Sequence, residues 1–306
     1  MKKPYHYSES SPNLLPSFVC CADILGYSQL SIDANKSGHG EQFLWKLRKA
    51  LTTSYERIRE RASGWGGDES FSIKVFTDNI VVGYPIPFYK KSGDYGESQL
   101  GEIFSIFAEF QFALAMEGFL VRGGIAFGNH YMDEEIVFGD ALIEAIGQDK
   151  GGGPPRISLA PSAVEMLQRH IGFYGKANWA PQFRDTLSDA DGTIFLNYLN
   201  EAFWAYPDGG VFFAFIESHK NIISAGLETF KGNPGIRSKY EWAARYHNYV
   251  CKEFAETNPV SNDPDADEFL AAAAEEAQKL RNYLIDIESF AAVPSRIKLK
   301  PIKPYE

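Results

Sequence analysis

Two short runs constrain this chain most: Phe18 to Tyr27 (FVCCADILGY) and Lys74 to Tyr84 (KVFTDNIVVGY). Each is apolar and β-rich, and each carries one aspartate where a buried strand would open onto solvent. The first leads to Asp23 and then Gly26, which reads as a strand handing over to a glycine-containing turn. In the second, Ile73, Val75 and Phe76 precede Thr77-Asp78-Asn79, and Ile80-Val81-Val82 follow, the pattern of a hairpin with Asp78 at its tip. If the strands are neighbours, their carboxylates converge and offer the hard oxygen ligands that Mg²⁺ or Mn²⁺ takes beside a triphosphate. Taken singly, Asp23 fits a helix N-cap and Asp78 an ordinary hairpin residue, so their surroundings decide between the readings.

Those surroundings alternate strands with helices. From Gly40 to Arg61, Phe43, Leu44, Leu47, Leu51, Tyr55 and Ile58 recur at helical steps, with Lys46, Arg48, Lys49 and Arg57 between them. The hairpin follows, then a phenylalanine- and alanine-rich helix from Leu100 to Glu117, then a strand from Phe119 to Gly128 and a short one from Glu135 to Phe138. The order strand, helix, hairpin, helix, strand predicts an α+β fold with a ferredoxin-like β-α-β-β-α-β core, an antiparallel sheet with helices on one face. Beyond it, the pattern predicts a short helix over 139–147 and strands over 155–160 and 192–198.

The last third changes character. Helices are predicted over 211–230, 236–254 and 268–281, ending in a lysine- and proline-rich tail. The expected organisation is an arm over 1–16, polar and proline-punctuated, a catalytic domain over 17–200, and a helical extension with its tail over 201–306.

A formal net charge of −10 argues against a general affinity for nucleic acid or an anionic membrane, so an anionic substrate needs a local cation or a metal. The N-terminal residues form no signal peptide and no run is long enough to span a bilayer, which makes a cytoplasmic protein the expectation. Cys20 and Cys21 are adjacent on a strand and point to opposite faces, so they read as reduced.

Three blocks, in order, resemble the class III nucleotidyl cyclase catalytic domain, and within it the pyrimidine cyclases of the Pycsar anti-phage system. FVCCADILGYSQL is similar to the first metal-aspartate strand, KVFTDNIVVGYP to the hairpin with the second aspartate, and LVRGGIAFGNHY with IVFGDALIEA to the strand, loop and helix across the dimer groove. The resemblance implies two divalent metal ions, Mn²⁺ or Mg²⁺, held by Asp23, the Ile24 carbonyl and Asp78, and a homodimer with active sites at its interface. Asp23 and Asp78 would be the catalytic pair. It implies phosphate contacts from the amides of Leu25, Gly26, Tyr27 and Ser28, and substrate contacts from Lys74, Arg122 and Arg156. The reaction implied is UTP to 3′,5′-cyclic UMP and diphosphate, a second messenger read by a separate effector.

The chain also departs from the pattern. The asparagine and arginine that purine cyclases carry after the glycine of IVFGDALIEA fall here on Ile143 and Gly147. Lys74 matches a base-reading lysine, but its acidic partner falls on Ile136, so an adenine-reading pair is incomplete. CTP remains an alternative substrate, then ATP, and then a catalytically silent nucleotide-binding domain. From the residues alone, Arg122 is equally an ion-pair partner, Arg156 a solvated loop residue, Lys74 a surface lysine and Gly26 a turn former.

Overall fold

A computed structural model describes residues 5–8, 11–65, 72–86, 96–148, 153–174, 180–202, 209–257, 268–287, 294–296 and 298–299. The chain divides into two compact units, Met1–Tyr198 with Arg296–Glu306, and Leu199–Ser295.

The first unit opens with a small hairpin, β1 (His6–Ser8) and β2 (Ser11–Pro12), and then the long strand β3 (Leu15–Ile24). Helices α1 (Tyr27–Lys36) and α2 (Gly40–Trp65) lead to β4 (Ser72–Phe76) and β5 (Asn79–Pro85). Helix α3 (Glu97–Met116) returns the chain to β6 (Val121–Met132), followed by β7 (Val137–Gly139) and α4 (Asp140–Gly147). The unit continues through β8 (Ile157–Leu159), α5 (Pro161–Tyr174), α6 (Pro181–Arg184), β9 (Thr186–Ser188) and β10 (Ile194–Leu196). With β11 (Ser295–Arg296), the described residues form a nine-stranded sheet in the order β11-β9-β10-β8-β6-β3-β5-β4, with β7 added to β6.

The centre of this sheet, β6-β3-β5-β4, is antiparallel throughout, as the ferredoxin-like order requires. The parallel β6–β8 pair extends it. Strict alternation along β3 divides the sheet's faces. Phe18, Cys20, Ala22 and Ile24 join one large core with Leu47, Ala50 and Ile58 of α2 and Leu100, Phe104, Phe107 and Phe110 of α3. Each such side chain, fully buried, contributes about 1.5–3 kcal/mol. Leu44, placed on the α2 stripe by its spacing, is 61% exposed, because the buried stripe runs through Leu47, Ala50, Ser54 and Ile58.

The opposite face carries Ser17, Val19, Cys21 and Asp23, and one short helix covers part of it. Ala141 and Ala145 of α4 pack with Val19 and Ala126. The helix sits this close because β6 has glycine there: a Cβ on Gly124 would collide with the Ala145 carbonyl oxygen. Tyr5, in the segment read as a polar arm, is fully buried on the same face, with its hydroxyl 3.1 Å from Ser17 Oγ. Helix α5 has no counterpart among the predicted elements. It starts on Pro161, suited to a first helical position, and buries Ala163, Met166, Leu167 and Ile171.

The second unit is helical: α7 (Gly209–Thr229), α8 (Pro234–Thr257) and α9 (Glu268–Lys279), with a 3-10 turn over Leu280–Tyr283. Helices α7 and α8 form a hairpin whose close approach rests on Gly226, where a Cβ would overlap the Tyr240 ring. Deeper in, His219 and His247 stack at 5.2 Å. No helix among the described residues is long and apolar enough to cross a membrane.

Candidate active site

The end of β3 and the β4–β5 turn meet at one end of the sheet. In the β3–β6 register Asp23 lies opposite Arg122, and the guanidinium donates Nε to Oδ1 at 3.0 Å and Nη2 to Oδ2 at 3.2 Å. Both side chains are about one-fifth exposed, at 19% and 21%, so this bidentate, charge-assisted pair is partly sheltered from water. Strand pairing creates it across 99 residues of sequence, a distance at which no local pattern announces it.

Asp78 sits in a two-residue turn, since Phe76 pairs with Asn79. Thr77 takes the first turn position with φ 58°, left-handed backbone that is unfavourable for a β-branched residue and costs about 1–3 kcal/mol. Its hydroxyl lies 2.9 Å from Asp78 Oδ1 and 2.6 Å from the Phe76 carbonyl oxygen, and its single proton serves one of them at a time. Burial pushes the Asp78 carboxyl above the usual carboxylate range; the Thr77 hydroxyl opposes this, the nearby Asp23 charge adds to it, and the Ile24 backbone amide opposes it. Asp78 thus interacts with both Asp23 and Ile24, which brings the three residues of the expected metal set together. Tyr55 of α2 reaches the same place from the core side. Its hydroxyl is buried without a hydrogen-bond partner among the described residues, and burial, then Asp78, push its pKa up to about 12.

Gly26 turns the chain from β3 into α1 with φ 75° and ψ 13°, a conformation that favours glycine. The Leu25 amide donates to the Leu120 carbonyl at 2.8 Å and is therefore engaged within the sheet's end. The amides of Tyr27 and Ser28 open α1, where a helix has no carbonyl of its own to offer them.

The remaining predicted residues fall elsewhere. Lys74 lies on β4 opposite Val81 and directs Nζ toward the Asp133 carbonyl at 3.5 Å, in the turn between β6 and β7. Asp133 holds that turn by accepting the amides of Glu135 and Ile136, both at 2.8 Å, and the Tyr131 hydroxyl at 2.6 Å. Arg156 is 9% exposed and engaged by Asp189 and, at 2.7 Å, by Asp191. That double ion pair fastens the start of β8 to the β9–β10 turn. Elsewhere in this unit Phe76, Ile136, Phe138, Ile143 and Ile146 present apolar side chains to solvent, each 40% exposed or more.

Among the described residues, no group of three or more His, Cys, Asp or Glu side chains could hold a metal ion. Asp23 and Asp78 are nevertheless donors of the type a hard divalent cation takes, because Mg²⁺ is commonly held by one or two carboxylates, with substrate phosphates and waters completing the shell.

No family model and no curated protein matches the sequence. Among solved structures, the chain is similar to a bacterial light-regulated adenylyl cyclase in two determinations. One has 12% identity and a TM-score of 0.39, covering 69% of this chain and 58% of that one. The other has 13% identity and a TM-score of 0.39, covering 62% and 54%. The chain thus spans a little over half the length of these proteins.

Proposed function

We propose that the first unit is a nucleotide cyclase that converts UTP to 3′,5′-cyclic UMP and diphosphate, a second messenger for a separate effector in anti-phage defence. The observation that carries this reading is the meeting of Asp23, Ile24 and Asp78 at one end of a ferredoxin-like sheet, beside the Arg122 guanidinium. Two carboxylates this close in a partly buried site gain from a cation shared between them.

In the reaction the ribose 3′-oxygen forms a bond to the α-phosphorus, the bond to the bridging oxygen breaks, and diphosphate leaves. Two divalent ions, Mn²⁺ or Mg²⁺, would acidify the 3′-hydroxyl and neutralise the triphosphate when bound. Asp23, Asp78 and the Ile24 carbonyl would hold them. Arg122, paired to Asp23 through both carboxylate oxygens, is the cation at this end of the sheet that would meet a phosphate oxygen. The Tyr27 and Ser28 amides cap the phosphates at the start of α1. Lys74 borders the open face, where the acidic partner of an adenine-reading pair is replaced by Ile136, and this favours a pyrimidine. The exposed apolar rim on that face suits a homodimer whose second chain completes each site.

A second reading, a nucleotide-binding domain without turnover, draws on the Asp23–Arg122 pair, which already satisfies one carboxylate. Incubation with each of the four NTPs and Mn²⁺, with products separated by chromatography, tests the proposal. Cyclic UMP as the main product supports it; cyclic CMP or cyclic AMP moves the assignment to the other base. Binding of UTP without any cyclic product leaves the second reading.

A further inference from the structure

The helical unit contains a cavity of about 610 Å³, within the size range of small-molecule sites. It lies between α7 and α8 and is closed on one side by the segment Leu284–Ile287. Asn248 fixes that wall, donating Nδ2 to the Ile285 carbonyl at 2.8 Å and accepting the Ile285 amide at 2.7 Å.

The contacts of His219 with His247 and of Gly226 with Tyr240 set the antiparallel register of the two helices. That register places Lys220 of α7 level with Arg245 of α8, and both line the cavity. Two cations therefore share one rung. Lys220 donates to the Asn282 carbonyl at 3.5 Å and lies near His247 and Cys251, and among the described residues neither cation has a carboxylate within ion-pair distance. Asp286 also lines the cavity but is exposed and pairs with neither. One turn along α7, Ser224 adds a hydroxyl donor.

The other end differs. Arg237 is paired with Glu241 at 3.0 Å and Lys231 with Glu228 at 3.8 Å, so their charges are matched. Leu227, Leu284 and Ile285 give the walls between the ends an apolar surface.

We propose that this cavity binds a small phosphate monoester. Its phosphate lies between Lys220 and Arg245, where a guanidinium fork and an ammonium suit a dianion, with Ser224 as a third donor. Hydroxyl groups on the rest of the molecule reach the carboxylates of Glu241 and Glu228. A bound dianion supplies both lining cations with a counter-charge.

Ribose 5-phosphate is a suitable probe, titrated calorimetrically into the full-length protein with EDTA present and ionic strength fixed. Saturable binding is expected, weakened about tenfold or more by Lys220→Gln and by Arg245→Gln. Lys231→Gln, which removes a cation already paired, changes it less than about twofold. Lys220→Arg retains binding, which separates a lost site from a lost fold, and circular dichroism checks each variant. Absence of saturable binding to the wild type, or equal weakening by Lys231→Gln, overturns the proposal.

Discussion

The two faces of the central sheet come from the same strands and do opposite work. On β3, Phe18, Cys20, Ala22 and Ile24 are at most 2% exposed under α2 and α3, while the alternate residues Val19, Cys21 and Asp23 face a side only partly closed by α4. One face excludes water to hold the fold together. The other keeps water, charge and exposed apolar side chains, and its glycines let α4 and Tyr5 approach without closing the end where the carboxylates lie. The difference teaches that strand parity, more than residue type, separates stability from chemistry here.

The sharpest break of this comparison uses one substitution on each side. Phe104→Ala, in a fully buried position of α3, should cost about 3–5 kcal/mol in urea unfolding. Asp78→Asn should lower cyclic nucleotide formation by about 10³-fold, equivalent to about 4 kcal/mol at the transition state. It should leave the unfolding midpoint unchanged or raised, since the lost charge is half-buried beside Asp23. If Asp78→Asn unfolds the protein as Phe104→Ala does, the carboxylate is structural and the division between faces fails.

Acid sharpens the contrast at a smaller scale. His130, on the α4 face beneath Tyr5, is buried, with no hydrogen-bond partner for either ring nitrogen among the described residues, and burial lowers its pKa to about 4. The unfolded chain takes up that proton near 6.5, so between pH 6.5 and 4 the unfolded state binds more protons and stability falls as pH drops. The stability is fully present above 6.5, and its loss on reaching pH 4 should approach about 3 kcal/mol. His130→Phe keeps the edge-on ring contact with Tyr5 and should flatten this slope in chemical unfolding at a series of pH values. An unchanged slope would mean that other groups carry it, among them His219 and His247 of the helical unit, which burial also lowers.

Much of this division was legible in the sequence, and the illegible part has one cause. The apolar, β-rich runs FVCCAD and IKVFTDNIVV marked the strands and placed Asp23 and Asp78 at their ends, and the order of elements implied the ferredoxin-like pairing. These signals are local. The Asp23–Arg122 pair depends on the register between β3 and β6, and the placement of α4 depends on glycines of β6 meeting alanines far along the chain. Leu44 was misplaced because an amphipathic stripe shows that a helix has an inner face but fixes its edge only once a partner packs there. The strained Thr77 carries no glycine or asparagine signal, so its left-handed backbone was not predictable from residue type. In the helical unit, the Lys220 and Arg245 positions were visible, but which faces of α7 and α8 meet is a tertiary fact.

The weakest effect on stability tests what the open face is for. Phe138 is 61% exposed and Ile143 is 67% exposed, so each makes few contacts within its own chain. Replacing either with serine should change urea unfolding of the monomer by no more than about 0.5 kcal/mol, the range for surface positions. Such residues still carry apolar area that a second copy of the chain could cover, and a loss of that area weakens association without touching the fold. Phe138→Ser and Ile143→Ser should therefore lower the dimer fraction in sedimentation experiments, with cyclic nucleotide formation falling in parallel if, as proposed, the second chain completes each site. A variant that stays dimeric and active would place the interface elsewhere and leave the exposed apolar rim without a role in assembly; a variant that unfolds would show that this face supports the fold as the buried one does.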